Sequence, residues 1–360
     1  MIVSILYFLL IFLIIVVSHE FGHYIVGKMN GIHAAEFFVG VGPKILKKVK
    51  DGTEFSLRLL PFGGACVFEG IDDLEESEDS DESEKKEPSE YSEHSFFKAS
   101  VWSRIATTLA GPVFNVILAY ICGVVLASAS GVIVPQIQTI MEDSGAEEAG
   151  LQPGDVITKI NHSSVHLSSE VSFLSFTSDG SPIDVTVLRN GEKIKYTVVP
   201  KYSEEDQRYY MGFTSGEFHE CDALDSLKYG AYNVQYMLRA SYISVKMLFT
   251  GRAGKDDLAG PVGMVQMVDE TYDEAKEYGA LTVVLSMMNL MLILAANLAV
   301  INLLPIPGLD GGRLLFLLIE AVRGKPVPRE KEGYVTLAGM ALLLALVVFV
   351  TINDISRFFR

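Results

Sequence analysis

Ile14-Ile15-Val16-Val17-Ser18-His19-Glu20-Phe21-Gly22-His23-Tyr24-Ile25-Val26 sets three ionisable side chains close together in an apolar run that begins at Ile2. About 20 apolar residues cross a bilayer, so this stretch reads as a first membrane span. On a helix, residues four apart share a face, and His19 and His23 can therefore reach one metal ion. Glu20 stands beside the first imidazole, where a carboxylate can take a proton from a metal-activated water. Zinc supplies that activation by lowering the water's pKa toward 7 and by polarising a scissile carbonyl. A chance His-Glu-x-x-His is expected on the order of once in a hundred chains of this length. Ionisable groups within a span are costly and are usually functional. The competing reading, a polar helix end near the interface, leaves three of them unexplained.

Working outward, no Lys or Arg precedes the run and no small-residue cleavage site follows it, which disfavours a cleaved signal peptide. Further spans are expected at about Val101–Ala129, Leu281–Leu304 and Val335–Ile352. Trp102 and Arg104 stand at the start of the second as interface anchors do. Between the first two spans, Glu54 to Leu59 alternates like a strand, Pro61 and Gly63-Gly64 supply a turn, and Ala65 to Phe68 reads as a return strand. Between the second and third spans, Val134–Met141, Asp155–Ile160, Ile183–Leu188 and Lys193–Val199 read as strands, the last two joined at Asn190-Gly191. Ala223 to Phe249 carries an amphipathic helical pattern that suits the membrane surface or the protein's own flank.

The expected fold class is a polytopic α-helical membrane protein of about four transmembrane helices, with a cytoplasmic-side β-hairpin and an inserted extracytoplasmic α+β domain. The expected divisions are 1–28 (first span), 29–71 (loop and hairpin), 72–98 (acidic insert), 99–130 (second span), 131–202 (β-rich domain), 203–280 (amphipathic segment), 281–312 (third span) and 313–360 (loop and fourth span). Lys28, Lys44, Lys47, Lys48, Lys50 and Arg58 follow the first span, and Arg313, Arg323, Lys325, Arg329 and Lys331 follow the third. By the positive-inside rule both groups face the cytoplasm and the β-rich domain lies outside.

The net charge of −16 argues against nucleic acid, whose phosphates need a basic surface. Much of it sits between Asp72 and Glu93, where 12 acidic residues face Lys85 and Lys86. That composition reads as a solvated, disordered insert on the cytoplasmic side. Cys66, Cys122 and Cys221 lack Cys-x-x-Cys spacing, so a metal held by sulfur is not indicated.

Catalytic zinc usually takes three protein ligands and keeps one position open. Asp310 is the best candidate for the third, in Asn302-Leu303-Leu304-Pro305-Ile306-Pro307-Gly308-Leu309-Asp310-Gly311-Gly312. Its prolines and glycines break the helix, and broken backbone at membrane depth is tolerated where it lines a cavity. A capping Asp in an ordinary loop is the bland alternative.

His19-Glu20-x-x-His23 paired with Asn302-x-x-Pro305-x-Pro307-x-Leu309-Asp310-Gly311 resembles the site-2 protease family of intramembrane zinc metalloproteases, in the pattern of its bacterial RseP and RasP branch. The resemblance covers nearly the whole chain. It implies His19, His23 and Asp310 as zinc ligands, Glu20 as general base, and Asn302 as a group that positions the substrate backbone or steadies an oxyanion. Ala110-Gly111-Pro112-x-x-Asn115 resembles the family's second-span pattern, and Leu258-Ala259-Gly260-Pro261-Val262-Gly263 the segment before the third. Ser144-Gly145-Ala146 with Ala149-Gly150-Leu151-x-Pro153-Gly154-Asp155-Val156-Ile157 resembles a single PDZ domain, whose relatives bind peptides or chain ends by strand addition. A merely structural β-domain is the alternative there.

The implied partners are the lipid bilayer and single-span membrane proteins or leftover signal peptides as substrates, in the cell membrane. Two rivals stand beside this reading. A non-catalytic PDZ-bearing adaptor has no need of a complete ligand set with Glu20. A transporter with a polar midplane would show paired halves.

Overall fold

The computed structural model describes residues 2–70, 92–204, 208–251 and 260–358. Most of the acidic run (72–91) and Leu258-Ala259 lie outside the described residues. The elements run α1 (Ile2–Met29), β1 (Ala34–Lys50), β2 (Thr53–Phe68), α2 (Val101–Ser130), β3 (Val132–Ile140), α3 (Gly145–Ala149), β4 (Val156–Ile160), β5 (Ser163–Ser164), α4 (Ser168–Phe176) and β6 (Ile183–Arg189). There follow β7 (Glu192–Val198), β8 (Lys201–Ser203), β9 (Arg208–Tyr210), β10 (Phe213–His219), α5 (Ala223–Phe249), α6 (Pro261–Lys276), α7 (Ala280–Asn302), α8 (Asp310–Arg323) and α9 (Arg329–Phe358). Two compact units divide the chain: residues 1–119 with 241–360, and residues 120–240.

Among the described residues, α1, α2, α7 and Lys331–Ser356 of α9 are long and apolar enough to cross a membrane. The protein is polytopic. In α1, Ser4, Phe8, Ile11, Ile15, His19, His23 and Gly27 are buried at helical spacing, while Leu6, Leu10 and Ile14 on the other side are exposed. A helix apolar all round shows no stripe in its sequence. The buried face is nonetheless the one that carries both histidines.

In the first unit, β1 and β2 turn at Asp51-Gly52, with φ of 52° and 83°, the left-handed pair that a tight hairpin turn demands. The turn predicted at Pro61–Gly64 therefore does not join the two mates of a hairpin. Phe37 faces both Phe55 and Cys66, so residues 36–39 lie between the 54–57 and 64–67 segments of β2. Residues 36–39 run in the same order as 54–57 and in reverse order to 64–67. The register follows burial: Ala34, Phe37 and Phe68 are buried, whereas Ile45, Leu46 and Val49 toward the tip are exposed.

The described chain resumes at Ser92, and Phe96 is buried with Ile32, Ala34 and Phe68. The far end of the expected solvated insert is thus packed.

Helices α6 and α8 occupy stretches predicted as an amphipathic segment and a loop. Asp354 of α9 is buried and accepts hydrogen bonds from the Gly260 and Gly263 N–H groups at 2.9 and 2.8 Å. It thereby caps the start of α6, whose first N–H groups have no partner within the helix. A Cβ at Gly260 would stand 2.9 Å from that carboxylate, which accounts for the glycine there.

The second unit is built on an antiparallel sheet in the order β10-β3-β4-β6-β7, with β5 on β4. Ile137, Ile157, Val185, Val187 and Val198 form its core. Ser144 caps α3 by accepting from the Glu147 N–H, and Gly150 ends it at φ 86°. Asp155 is buried and takes two bonds from Arg189, at 2.6 and 2.7 Å. The sheet does not stop near residue 202, as predicted. β10 pairs with β3 from Phe213↔Ile140 to His219↔Val132. Polar residues and Gly216 break the alternation there and hid the strand.

Candidate active site

Three elements of the first unit bring the motif residues together. α1 presents His19 and His23. A Cβ at Gly22 would lie 2.5 Å from the Ala110 carbonyl oxygen, so glycine lets α1 approach α2 closely. α7 ends at Asn302, and Pro305 and Pro307 cannot continue a helix. The chain reverses through Gly308, at φ 97°, and α8 starts at Asp310. Cβ atoms at Gly311 and Gly312 would stand 2.2 and 2.4 Å from the carbonyl oxygens of Leu304 and Ile306. Those two glycines let the first turn of α8 fold back on the end of α7, and Asp310 arrives opposite the histidines.

The His19 and His23 Nε2 atoms lie 3.2 Å apart. Asp310 Oδ2 lies 3.1 Å from His19 Nε2 and 3.5 Å from His23 Nε2. Ligands at about 2.0–2.2 Å around a tetrahedral zinc are separated by about 3.3–3.6 Å. The triangle has the size of one face of that tetrahedron. Among the described residues these three form the group of His, Cys, Asp and Glu side chains able to hold a metal. Asp310 Oδ2 is buried with no hydrogen-bond donor among the described residues, as an oxygen reserved for a cation would be. The donor set and its spacing fit a tetrahedral metal ion.

Glu20 points beside this triangle, and its Oε2 accepts from the Cys66 N–H at 2.9 Å. Asn302 Nδ2 is 3.5 Å from His19 Nε2. A cavity of about 250 Å³ is lined by His19, Glu20, His23 and Asp310, by Ala65 to Phe68 of β2, and by Thr107, Thr108 and Arg313 among others. All five residues singled out in the sequence meet here. Three partners escaped it: the Cys66 N–H, the Thr107 carbonyl oxygen, 2.9 Å from His23 Nδ1, and the Asn115 amide, 3.3 Å from His19 Nδ1. Only Asn115 carries a sequence signal, in the Gly111-Pro112-x-x-Asn115 pattern, which by itself reads as a small, polar face for helix packing.

A His-Glu-x-x-His pair on a membrane-length helix, completed by a carboxylate from elsewhere in the bundle, defines a membrane metalloprotease. Comparison with known proteins bears this out. Residues 7–346 match the model of peptidase family M50. The chain is 32% identical to zinc metalloprotease RasP of Bacillus licheniformis, with 99% of each chain covered. It is 32% identical to the regulator of sigma-W protease RasP of Bacillus subtilis, again with 99% of each covered. A further zinc metalloprotease RasP, from Geobacillus kaustophilus, is 31% identical over 99% of this chain and 98% of its own. Among solved structures, the PDZ domain of an SdrC-like protein from Listeria innocua matches 24% of this chain and 99% of its own, at 19% identity and a TM-score of 0.22. The chain belongs to peptidase family M50 and is a membrane zinc metalloprotease.

Proposed function

We propose that His19, His23 and Asp310 hold the zinc, that Glu20 is the general base, and that the substrates are single-span membrane proteins such as anti-sigma factors, or the remnants of signal peptides. The observation that carries this is the convergence of three ligand atoms beside a carboxylate fixed by the Cys66 N–H. The Bacillus subtilis relative is named a regulator of sigma-W protease, which supports a regulatory membrane substrate.

When bound there, zinc would supply Lewis acidity toward water and a scissile carbonyl. Glu20 would take a proton from the attacking water on Oε1, as the water's oxygen bonds to the carbonyl carbon, while the Cys66 N–H holds Oε2. Asn302, at the end of α7, offers an amide to the substrate backbone or to negative charge developing on the carbonyl oxygen. A membrane helix satisfies its backbone hydrogen bonds internally, so it must unwind before it can be cut. Ala65 to Val67 of β2 line the cavity and belong to the segment that pairs with residues 36–39. An unwound substrate strand that pairs with an edge of this hairpin would regain lost hydrogen bonds.

The hairpin and the acidic insert are proposed to face the cytoplasm, and the 120–240 unit the opposite side, following the Lys and Arg distribution. That unit is proposed to act as a PDZ-like peptide-binding module, on the strength of the Ser144–Ile157 motif. The whole reading is tested by comparing the membrane proteins cut in cells carrying the intact chain and Glu20→Gln. A shared cleavage pattern in the two would overturn it.

A further inference from the structure

Helix α2 donates no metal ligand, yet Thr107, Gly111 and Asn115 lie four apart along it and therefore on one face. All three are buried. A Cβ at Gly111 would stand 2.3 Å from His23 Nε2 and 2.7 Å from His19 Cε1, so this face lies directly against both imidazoles. On one side of the glycine, the Thr107 carbonyl oxygen is 2.9 Å from His23 Nδ1. A carbonyl only accepts, so His23 donates from Nδ1, and Nε2, on the side of Asp310 and His19, is the atom left for a metal. On the other side, the Asn115 amide is 3.3 Å from His19 Nδ1.

For His19 to do the same, the amide must accept as well. With the nitrogen of Asn115 facing His19, Nδ1 would have to be the acceptor and the proton would sit on Nε2, where no metal could then bind. Asn115 Oδ1 would meanwhile be fully buried with no partner among the described residues. A buried unpaired polar atom costs about 1–3 kcal/mol in proteins. The oxygen and nitrogen of a side-chain amide fill nearly the same volume, so a half-turn exchanges them without disturbing the packing. That half-turn sets Oδ1 against His19 Nδ1–H.

We propose that Asn115 is the positioning residue for His19, its side-chain oxygen accepting the Nδ1 proton so that the Nε2 lone pair stays aimed at the metal. With the Thr107 carbonyl, it makes α2 the outer support of both histidines, and Gly111 is the gap that lets the helix come close enough. This rests on the reading of His19 as a metal ligand. Partners of this kind typically contribute 10–100-fold to metal affinity.

The test is the zinc affinity of the purified full-length chain in nanodiscs, by competition with a chelating fluorophore. Asn115→Leu keeps the branched shape and removes the acceptor, and its affinity should fall by about 10–100-fold. Asn115→Asp restores an acceptor and should bind zinc at least as tightly as the parent. An unchanged affinity in Asn115→Leu overturns the proposal, and so does an equal loss in both variants, which would make the residue a packing element. His19→Ala in the same assay separates the two readings. If it binds zinc like the parent, the ligand assignment has failed. If it loses zinc while Asn115→Leu does not, the positioning role alone has failed.

Discussion

The Cys66 N–H donates to Glu20 Oε2 at 2.9 Å, so the backbone of β2 fixes the carboxylate beside His19 and His23. Hydrogen bonds to charged groups are worth about 1.5–3 kcal/mol, which is about 10–100-fold in rate if the bond persists through the reaction. Cys66→Pro removes the donor. Its turnover should fall by that factor with zinc content unchanged, and Cys66→Ala, which keeps the N–H, should cut normally. Equal rates in the two variants would show that the bond does not serve the base.

Glu20→Gln should abolish proton transfer while leaving the ligands alone. A positioned general base contributes about 10²–10⁴-fold, so cleavage of a reconstituted single-span substrate should drop by at least the lower figure. Zinc content and substrate capture should persist. Appreciable turnover would remove Glu20 from the role of base.

Asp310→Ala should lower the zinc bound per chain, because two imidazoles alone make a weak site. Gly111→Ala should also lower it, since its Cβ would come within 2.3 Å of His23 Nε2. Metal analysis of both variants beside Glu20→Gln decides the matter. A normal zinc content in Asp310→Ala would take that carboxylate out of the coordination shell.

What the sequence disclosed follows from the range of each signal. His19, Glu20 and His23 are legible because their geometry is local to one helical turn. The four spans are legible because length and apolarity suffice. Asp310 lies 291 positions after His19, so local sequence leaves a capping role open and only the paired family pattern points to the metal. Asp51-Gly52 and Pro61–Gly64 both carry turn residues, and local sequence does not rank them. Long-range pairing, with residues 36–39 between two segments of β2, decides between them. Asn115 is the clearest case: a lone Asn in a span could be a packing contact, and only the spacing Thr107–Gly111–Asn115 against two imidazoles gives it a task.

Asp155 anchors the sheet of the second unit through Arg189. Burial alone would raise its carboxyl pKa, but the bonds from Arg189 and the Gln152 N–H outweigh this and hold it below the usual range. A depressed folded value means stability present above the unfolded pKa of about 3.9 and lost as pH falls through the folded one. Asp155→Asn should cost about 3 kcal/mol at pH 7, the low end for breaking a buried pair, because Arg189 keeps some contact with water. The gap between parent and variant should narrow below about pH 4, read as hydrogen exchange of β4 and β6 across urea titrations. A gap that stays constant down to pH 2 would show that the charge is not what matters.

The last prediction concerns the second unit as a module. None of His19, Glu20, His23, Asn302 and Asp310 lies within residues 120–240. Replacing this unit's sheet should therefore spare the metal. A cut bounded by the expected division, ending at residue 202, would leave β10 without its mate β3. The proper replacement runs from Val132 to His219, with a Gly/Ser-rich linker that imposes little shape of its own. If the unit selects substrates, the variant should keep its zinc and cut full-length single-span proteins that the parent leaves intact. Retained zinc with an unchanged set of cleaved proteins would rule out selection by this unit. Lost zinc would mean that the sheet supports the helices that carry the ligands, and the two units would then have to be treated as one folding body.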